Sequence, residues 1–301
     1  MTWWNSDVVY ALRRSPTAQL SGALVILLAL AALFASVLAP YDAFNPAKAN
    51  VVDARLAPGA IGMFGDRYWL GTDPQGRDML SAMLFGLRTS LEVGVGAVAL
   101  AAAFGVTLGL LSGYFGGVLD AIIMRAADVQ LSFPSILIAL LVDGIARAVL
   151  TTHGHATLAI PVLIVAIALS CWVQYARTVR SLVLIERQRE YVLAASVTGV
   201  RTHRILFGHI LPNVLRPVLV VATINLALAI IAEATLSFLG VGIPPTEPSL
   251  GTLVRVGGEY LYSGNWWISL LPGGLLVVLS LAVNLFGDWL RDTMNPLLDA
   301  T

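Results

Sequence analysis

Residues 15–41 carry no charged side chain, and four further stretches, 93–119, 148–176, 217–232 and 260–287, share that property. The third holds His153 and His155 near its start, and the fourth continues past Glu233 through apolar residues to Leu239. A helix needs about 20 mostly apolar residues to cross a bilayer. Residues 121–142 are apolar except for Arg125 and Asp128, which lie three positions apart and so share a helical face. Read together, these stretches predict an all-α integral membrane protein with six transmembrane helices. They are too long, and too poor in strict alternation, for strands of an outer-membrane barrel.

Composition agrees. Charged residues make up 12% of the 301, against about 25% in a soluble domain. An ordinary soluble enzyme, a disordered chain and a basic-patch nucleic-acid binder are therefore excluded. Basic and acidic residues balance at 18 each, leaving no net field for steering. The single cysteine, Cys171, excludes a disulfide framework within the chain and reads as a small buried residue. Arg13 and Arg14 precede the first run, but its apolar stretch exceeds the 7–15 or so residues of a signal peptide, so a retained helix is expected.

Loop charge sets the orientation. Residues 177–216 hold seven arginines, opposed only by Glu186 and Glu190. This most basic loop is expected in the cytoplasm, and both termini with it. The loop of 42–88, which carries Lys48, Arg55, Arg67, Arg77 and Arg88, then falls outside despite its positive charge. The resulting layout is a cytoplasmic tail (1–19), a first span (20–40), an extracytoplasmic loop (41–88), a core of five spans (89–290) and a cytoplasmic tail (291–301). The segment 113–117 reads as a cytoplasmic turn, and 240–265, with Pro244, Pro245 and Pro248, as an extracytoplasmic loop.

The cytoplasmic loop of 177–212 is too long for a bare connector. Residues 182–197 read as one helix with Ala194 and Ala195 on its later turn. Gly199 then supplies the left-handed conformation that ends a helix. A second short helix is expected over 202–209, with Pro212 and Pro217 bracketing entry to the fifth span. Two short helices hinged at glycine, with a small-residue face, would let a partner approach closely. The competing reading is an amphipathic stretch lying on anionic lipid.

No catalytic motif is visible. The only lysine, Lys48, follows Ala47, so the Gly-Lys pair of a phosphate-binding loop is missing. His153 and His155, two apart with no clustered cysteine or carboxylate, do not make a metal site. The intramembrane polar candidates are Arg125, Asp128 and Glu233, since ionisable groups in spans are functional candidates by default. Arg125 and Asp128 are expected to pair with each other and lock helix packing, with contact to substrate as the alternative. Glu233, near the outer face, either lines an external vestibule or secures the packing of the next loop.

The motif Ala194-Ala195-x-x-x-Gly199, followed by Ile210-Leu211-Pro212, resembles the EAA loop of bacterial ABC importer permeases. Leu70-Gly71-Thr72-Asp73-x-x-Gly76-Arg77-Asp78, Gly86-x-Arg88-x-Ser90-Leu91, Gly113-Tyr114-Phe115-Gly116-Gly117-x-x-Asp120, Glu233-Ala234-x-Leu236-Ser237-Phe238-Leu239-Gly240 and Asn284-Leu285-x-Gly287-Asp288 resemble the dipeptide/oligopeptide/nickel branch. The likeness is to the second permease subunit of such systems. Leu193 stands where the family usually has Glu, His209 where Ile is usual, and Asn295-Pro296 where Asp-Pro is common.

The resemblance implies the transmembrane domain of a type I ABC importer. Its partners would be a second homologous permease, two ATP-binding subunits that use ATP and Mg, and an extracytoplasmic solute-binding protein. It implies that Leu193, Ala194, Ala195, Gly199, His209, Ile210, Leu211 and Pro212 form the ATPase-coupling loop. The chain itself would bind no cofactor, metal or nucleic acid and would sit in the bacterial cytoplasmic membrane. Peptides are the expected cargo, with nickel or another chelated metal as the alternative. A membrane-embedded enzyme would need converging polar groups, and a gradient-driven carrier inverted repeats. Neither is seen in the sequence.

Overall fold

The computed structural model describes residues 7–41, 51–150, 158–244 and 247–294. Lys48, His153, His155, Pro245, Asn295 and Pro296 lie outside them. The architecture among the described residues is helical, with five helices long and apolar enough to span a membrane and a bent pair that makes a sixth if counted as one crossing.

A short helix α1 (Asp7–Arg14) leads into α2 (Pro16–Leu33). Ser15 caps α2, its hydroxyl accepting the Ala18 N–H, and Pro16 occupies the first turn, where a missing N–H costs nothing. A one-turn α3 (Ala35–Leu38) follows. The loop of 51–78 is folded rather than slack. The Asp53 carboxylate accepts the Met63 N–H at 2.8 Å, Arg77 pairs with Asp73 at 2.6 Å, and the Trp267 indole donates to the Thr72 carbonyl.

Helix α4 (Met79–Phe115) begins at the Asp78 cap, ten residues before the expected end of that loop. Its 37 residues extend about 55 Å, well beyond a bilayer core of about 30 Å. The single helix expected over 121–142 is instead two, α5 (Gly117–Leu131) and α6 (Ser135–Val149), bent by 95°. Pro134 explains the break. It has no N–H to donate and pushes Phe133 out of the helical region.

Helix α7 (Ala159–Glu186) runs past the uncharged stretch into its arginines. The helix expected over 182–197 is interrupted at 187–189, and only α8 (Glu190–Val197) remains separate. The next helix, α9 (Thr202–Phe238), is unbroken, so Pro212 and Pro217 do not delimit it. A π-helical turn, Ile205–Ile210, stands directly before Pro212 and absorbs the irregularity that a proline imposes on helical hydrogen bonding. Within the expected loop of 240–265 lies a further helix, α10 (Leu250–Gly258). The Ser249 and Thr252 side chains cap it reciprocally. Helix α11 (Trp267–Thr293) completes the described chain.

Lipid is as apolar as leucine, so helices in a membrane associate by close fit. On α4, Ala97, Ala101, Gly105, Gly109 and Gly113 recur at every fourth position and are buried. A Cβ on Gly105 would stand 2.5 Å from the Trp172 carbonyl oxygen. On Gly109 it would stand 2.6 Å from that of Ala176, and on Gly113 2.8 Å from the Val183 Cβ. The α4 and α7 backbones therefore touch along three turns. Replacing Gly109 by Ala is expected to lower the melting temperature of the detergent-purified protein by roughly 5 °C through overpacking. Gly144→Ala, at a position where a Cβ meets open space, should leave it unchanged.

Candidate functional site

The segment from Glu186 to Asn213 joins α7 to α9 and is built on a buried apolar layer. Tyr175, Val179 and Val183 of α7, Val192 and Ala195 of α8, and Ile205, Leu206, Ile210 and Val214 of α9 belong to one cluster. The two small residues of the motif part company here. Ala195 faces this layer, while Ala194 faces solvent beside Leu193 (52% exposed) and Val197 (86% exposed). The exposed face of α8 thus carries an apolar patch of Leu193, Ala194 and Val197 beyond Glu190 of its first turn, with Phe207 of the π-turn also 60% exposed.

Gly199 has φ +76°, the left-handed region that favours glycine, and a Cβ there would meet nothing within 4 Å. Its requirement is conformational and not one of space. His209 is half-buried, with Nδ1 3.1 Å from the Arg204 carbonyl oxygen. Ile210 is fully buried, Leu211 half-buried and Pro212 exposed.

A polar cluster fixes α8 to its neighbours. The Tyr191 hydroxyl donates to Glu186 at 2.6 Å and accepts from the Asn213 amide at 2.8 Å, and its ring stacks on His209. Burial, and then the Glu186 hydrogen bond, push the Tyr191 pKa up, so the hydroxyl stays protonated through the physiological range.

The same end of the molecule is held by charge. Arg180 of α7 forks onto both oxygens of Asp120 at 2.5 and 2.6 Å, and Ser112 also donates to Asp120. Arg187 donates to the Gly113 and Tyr114 carbonyls, closing the C-terminus of α4 with a cation. Asp128 pairs with Arg177 of α7 at 2.5 Å rather than with Arg125, which is exposed on α5. The expected Arg125–Asp128 pair runs cation-first along one helix, the weaker orientation, and Arg177 reaches across instead.

Glu233 lies at the far end of α9 and is 0% exposed. It does not face an open vestibule in this conformation. Its two carboxylate oxygens accept from Ser90 at 2.6 Å and Ser237 at 2.8 Å. The three intramembrane candidates thus do not converge. Sequence reasoning missed Asp143, 2% exposed and bonded to Arg147 at 2.5 Å, because the predicted helix stopped at Val142. It also missed Glu92, exposed one turn above the apolar cleft between α4 and α9, because the uncharged run was counted from Val93. That cleft, of about 700 Å³, is lined by residues such as Val95, Ala99, Leu215 and Leu219. Among the described residues no group of three His, Cys, Asp or Glu could hold a metal ion.

A bundle of membrane-spanning helices with a short, exposed helix mounted at one end fits the membrane subunit of a transporter. Residues 105–297 match the family described as the binding-protein-dependent transport system inner membrane component. Residues 2–58 match the N-terminal transmembrane domain of oligopeptide transport permease C. The chain belongs to this family: it is a multi-pass inner-membrane permease of an ABC importer, working with a separate ATPase and a solute-binding protein.

It is 39% identical to the dipeptide transport system permease protein DppC of Haemophilus influenzae, over 92% of this chain and 91% of that one. It is 36% identical to the di/tripeptide permease DppC of Pseudomonas aeruginosa, over 91% and 86%. It is also 34% identical to the probable D,D-dipeptide permease DdpC of Escherichia coli, over 97% and 91%. An inward-facing structure of the MetNI methionine ABC transporter shares the fold. Its TM-score is 0.54 at 22% identity, covering 71% of this chain and 97% of that chain.

Tyr191→Phe removes the one hydroxyl that bridges Glu186 and Asn213. Limited trypsin digestion of membranes should then cut at Arg187 or Arg189 about three-fold faster than in the parent, as local opening becomes easier.

Proposed function

We propose that this permease carries di- and oligopeptides across the cytoplasmic membrane, paired with a second homologous permease and driven by two ATP-binding subunits, one of which docks on α8. The observation that carries the coupling role is the exposed apolar face of Leu193, Ala194 and Val197, mounted on a layer shared by α7 and α9. The names borne by the relatives support the peptide cargo.

The mechanism follows from the mounting. ATP closes the ATPase pair, and α8 moves with the surface it rests on. The Val192 and Ala195 side chains transmit the displacement to Ile205, Leu206 and Ile210 at the start of α9. Gly199 sets the angle between α8 and α9. The substrate passes as the bundle alternates between inward and outward openings, and selection rests largely with the binding protein. This chain supplies no nucleotide chemistry; ATP and Mg belong to the ATPase subunits.

A cytoplasmic position for the coupling end and both tails is supported by its arginines and by helix direction. Gly22, early in α2, lies against Phe286, late in α11, and Leu290 reaches the cleft beside Phe207. The start of α2 and the end of α11 thus sit toward the end that carries α8.

The test is uptake of a labelled dipeptide by proteoliposomes holding the whole complex, its binding protein and internal ATP. Gly199→Val should reduce uptake about ten-fold or more, and Gly199→Asn only about two-fold, because Asn enters the left-handed region readily. Ala195→Phe should abolish coupling by overpacking the shared layer. Uptake that is independent of ATP, or unchanged in all three variants, would defeat the proposal.

A further inference from the structure

Helix α9 is one rod of 37 residues, about 55 Å long, beginning beside α8 and ending just beyond Glu233. Whatever displaces its first turn is carried to its last. At that far end a carboxylate of α9 holds a serine of α4, and α10 bonds the same serine. The Leu250 N–H, at the start of α10, points to the Ser90 oxygen of α4 at 3.4 Å. The Ser90 hydroxyl donates to Glu233 Oε2 at 2.6 Å, and Ser237 donates to Oε1 at 2.8 Å. A hydrogen-bonded chain thus runs from a helix N-terminus through a hydroxyl to a buried carboxyl group.

The packing around it is equally close. A Cβ on Gly251 of α10 would stand 2.4 Å from the Ala234 carbonyl oxygen of α9. One on Gly86 of α4 would stand 3.2 Å from the Leu250 nitrogen, and one on Gly257 2.4 Å from the Ile268 carbonyl carbon of α11. These contacts let α10 approach three helices at once, but they are non-directional. The directional contact of α10 here is its Leu250 N–H to Ser90, the serine that Glu233 holds in place.

We infer that Glu233 is a positioning residue of the transport cycle. It locks α10 and the outer half of α4 to α9, so that movement entering at α8 is delivered at the opposite end of the bundle. The inference rests on the coupling role proposed above. Without the lock α9 still moves, ATP is still hydrolysed, and α10 no longer follows.

The experiment measures peptide taken up per ATP hydrolysed in the reconstituted full complex, for the parent, Glu233→Ala, Glu233→Gln, Ser90→Ala and the Glu233→Gln/Ser90→Ala double variant. Glu233→Ala should assemble and hydrolyse ATP while uptake per ATP falls about ten-fold. Glu233→Gln, which keeps only one acceptor oxygen, and Ser90→Ala should each lose about three-fold, and the double variant should be no worse than the poorer single. Unchanged uptake per ATP in Glu233→Ala would overturn the inference. So would loss of assembly in every variant, Ser90→Ala included, since that would make the cluster a folding element only. A parent complex whose uptake is not tied to ATP would instead defeat the coupling reading.

Discussion

The backbone contact between α4 and α7 is the constraint on which the rest of the molecule depends. Three glycines let two spanning helices touch where side chains would hold them apart. Once they are joined, the other faces of α4 are left to receive α2, α9 and α10. The ends of both helices are also brought into register, so that Arg180 and Arg187 meet Asp120 and the last carbonyls of α4. Charge at that end acts as a fastening laid over a fit that is already tight. The Arg180–Asp120 fork is partly sheltered, at 32% and 20% side-chain exposure, and it is bidentate, which gives it more weight than an ordinary surface ion pair.

The two ends of the bundle are built differently. At the α8 end, the apolar layer of α7, α8 and α9 is supplemented by ionic and tyrosine bridges that reach solvent. At the α10 end, small residues and a buried carboxylate do the joining with no cation from the described residues among its hydrogen-bond donors. The first arrangement would suit a segment pushed by a docked partner, the role proposed for α8. The second suits a segment that must stay with its helix.

Much of the plan was legible in the sequence. Uncharged length located the spans, and glycine in the left-handed region was anticipated at Gly199. What hydropathy cannot report is where a helix stops. It read through Pro134, because the residues on either side are equally apolar, and so turned a 95° bend into one rod and lost Asp143. It also placed the start of α4 near its first uncharged run, although helical hydrogen bonding begins at the Asp78 cap. The α10 helix had a signal in Ser249 and Thr252, which was missed because threonine stands where glutamate or glutamine usually completes such a cap. The spacing of Ala97, Ala101, Gly105, Gly109 and Gly113 was visible as well, and only its meaning needed a neighbour. Arg187 illustrates the opposite case. Nothing near it in sequence says that it leaves its helix to close another one.

The apolar face of α8 bears on the life of a copy that never finds its complex. Leu193, Val197 and Phe207 would then stand bare, the kind of surface that chaperones and proteases read as unfinished. A surface that suits docking would, on a solitary copy, shorten that copy's life.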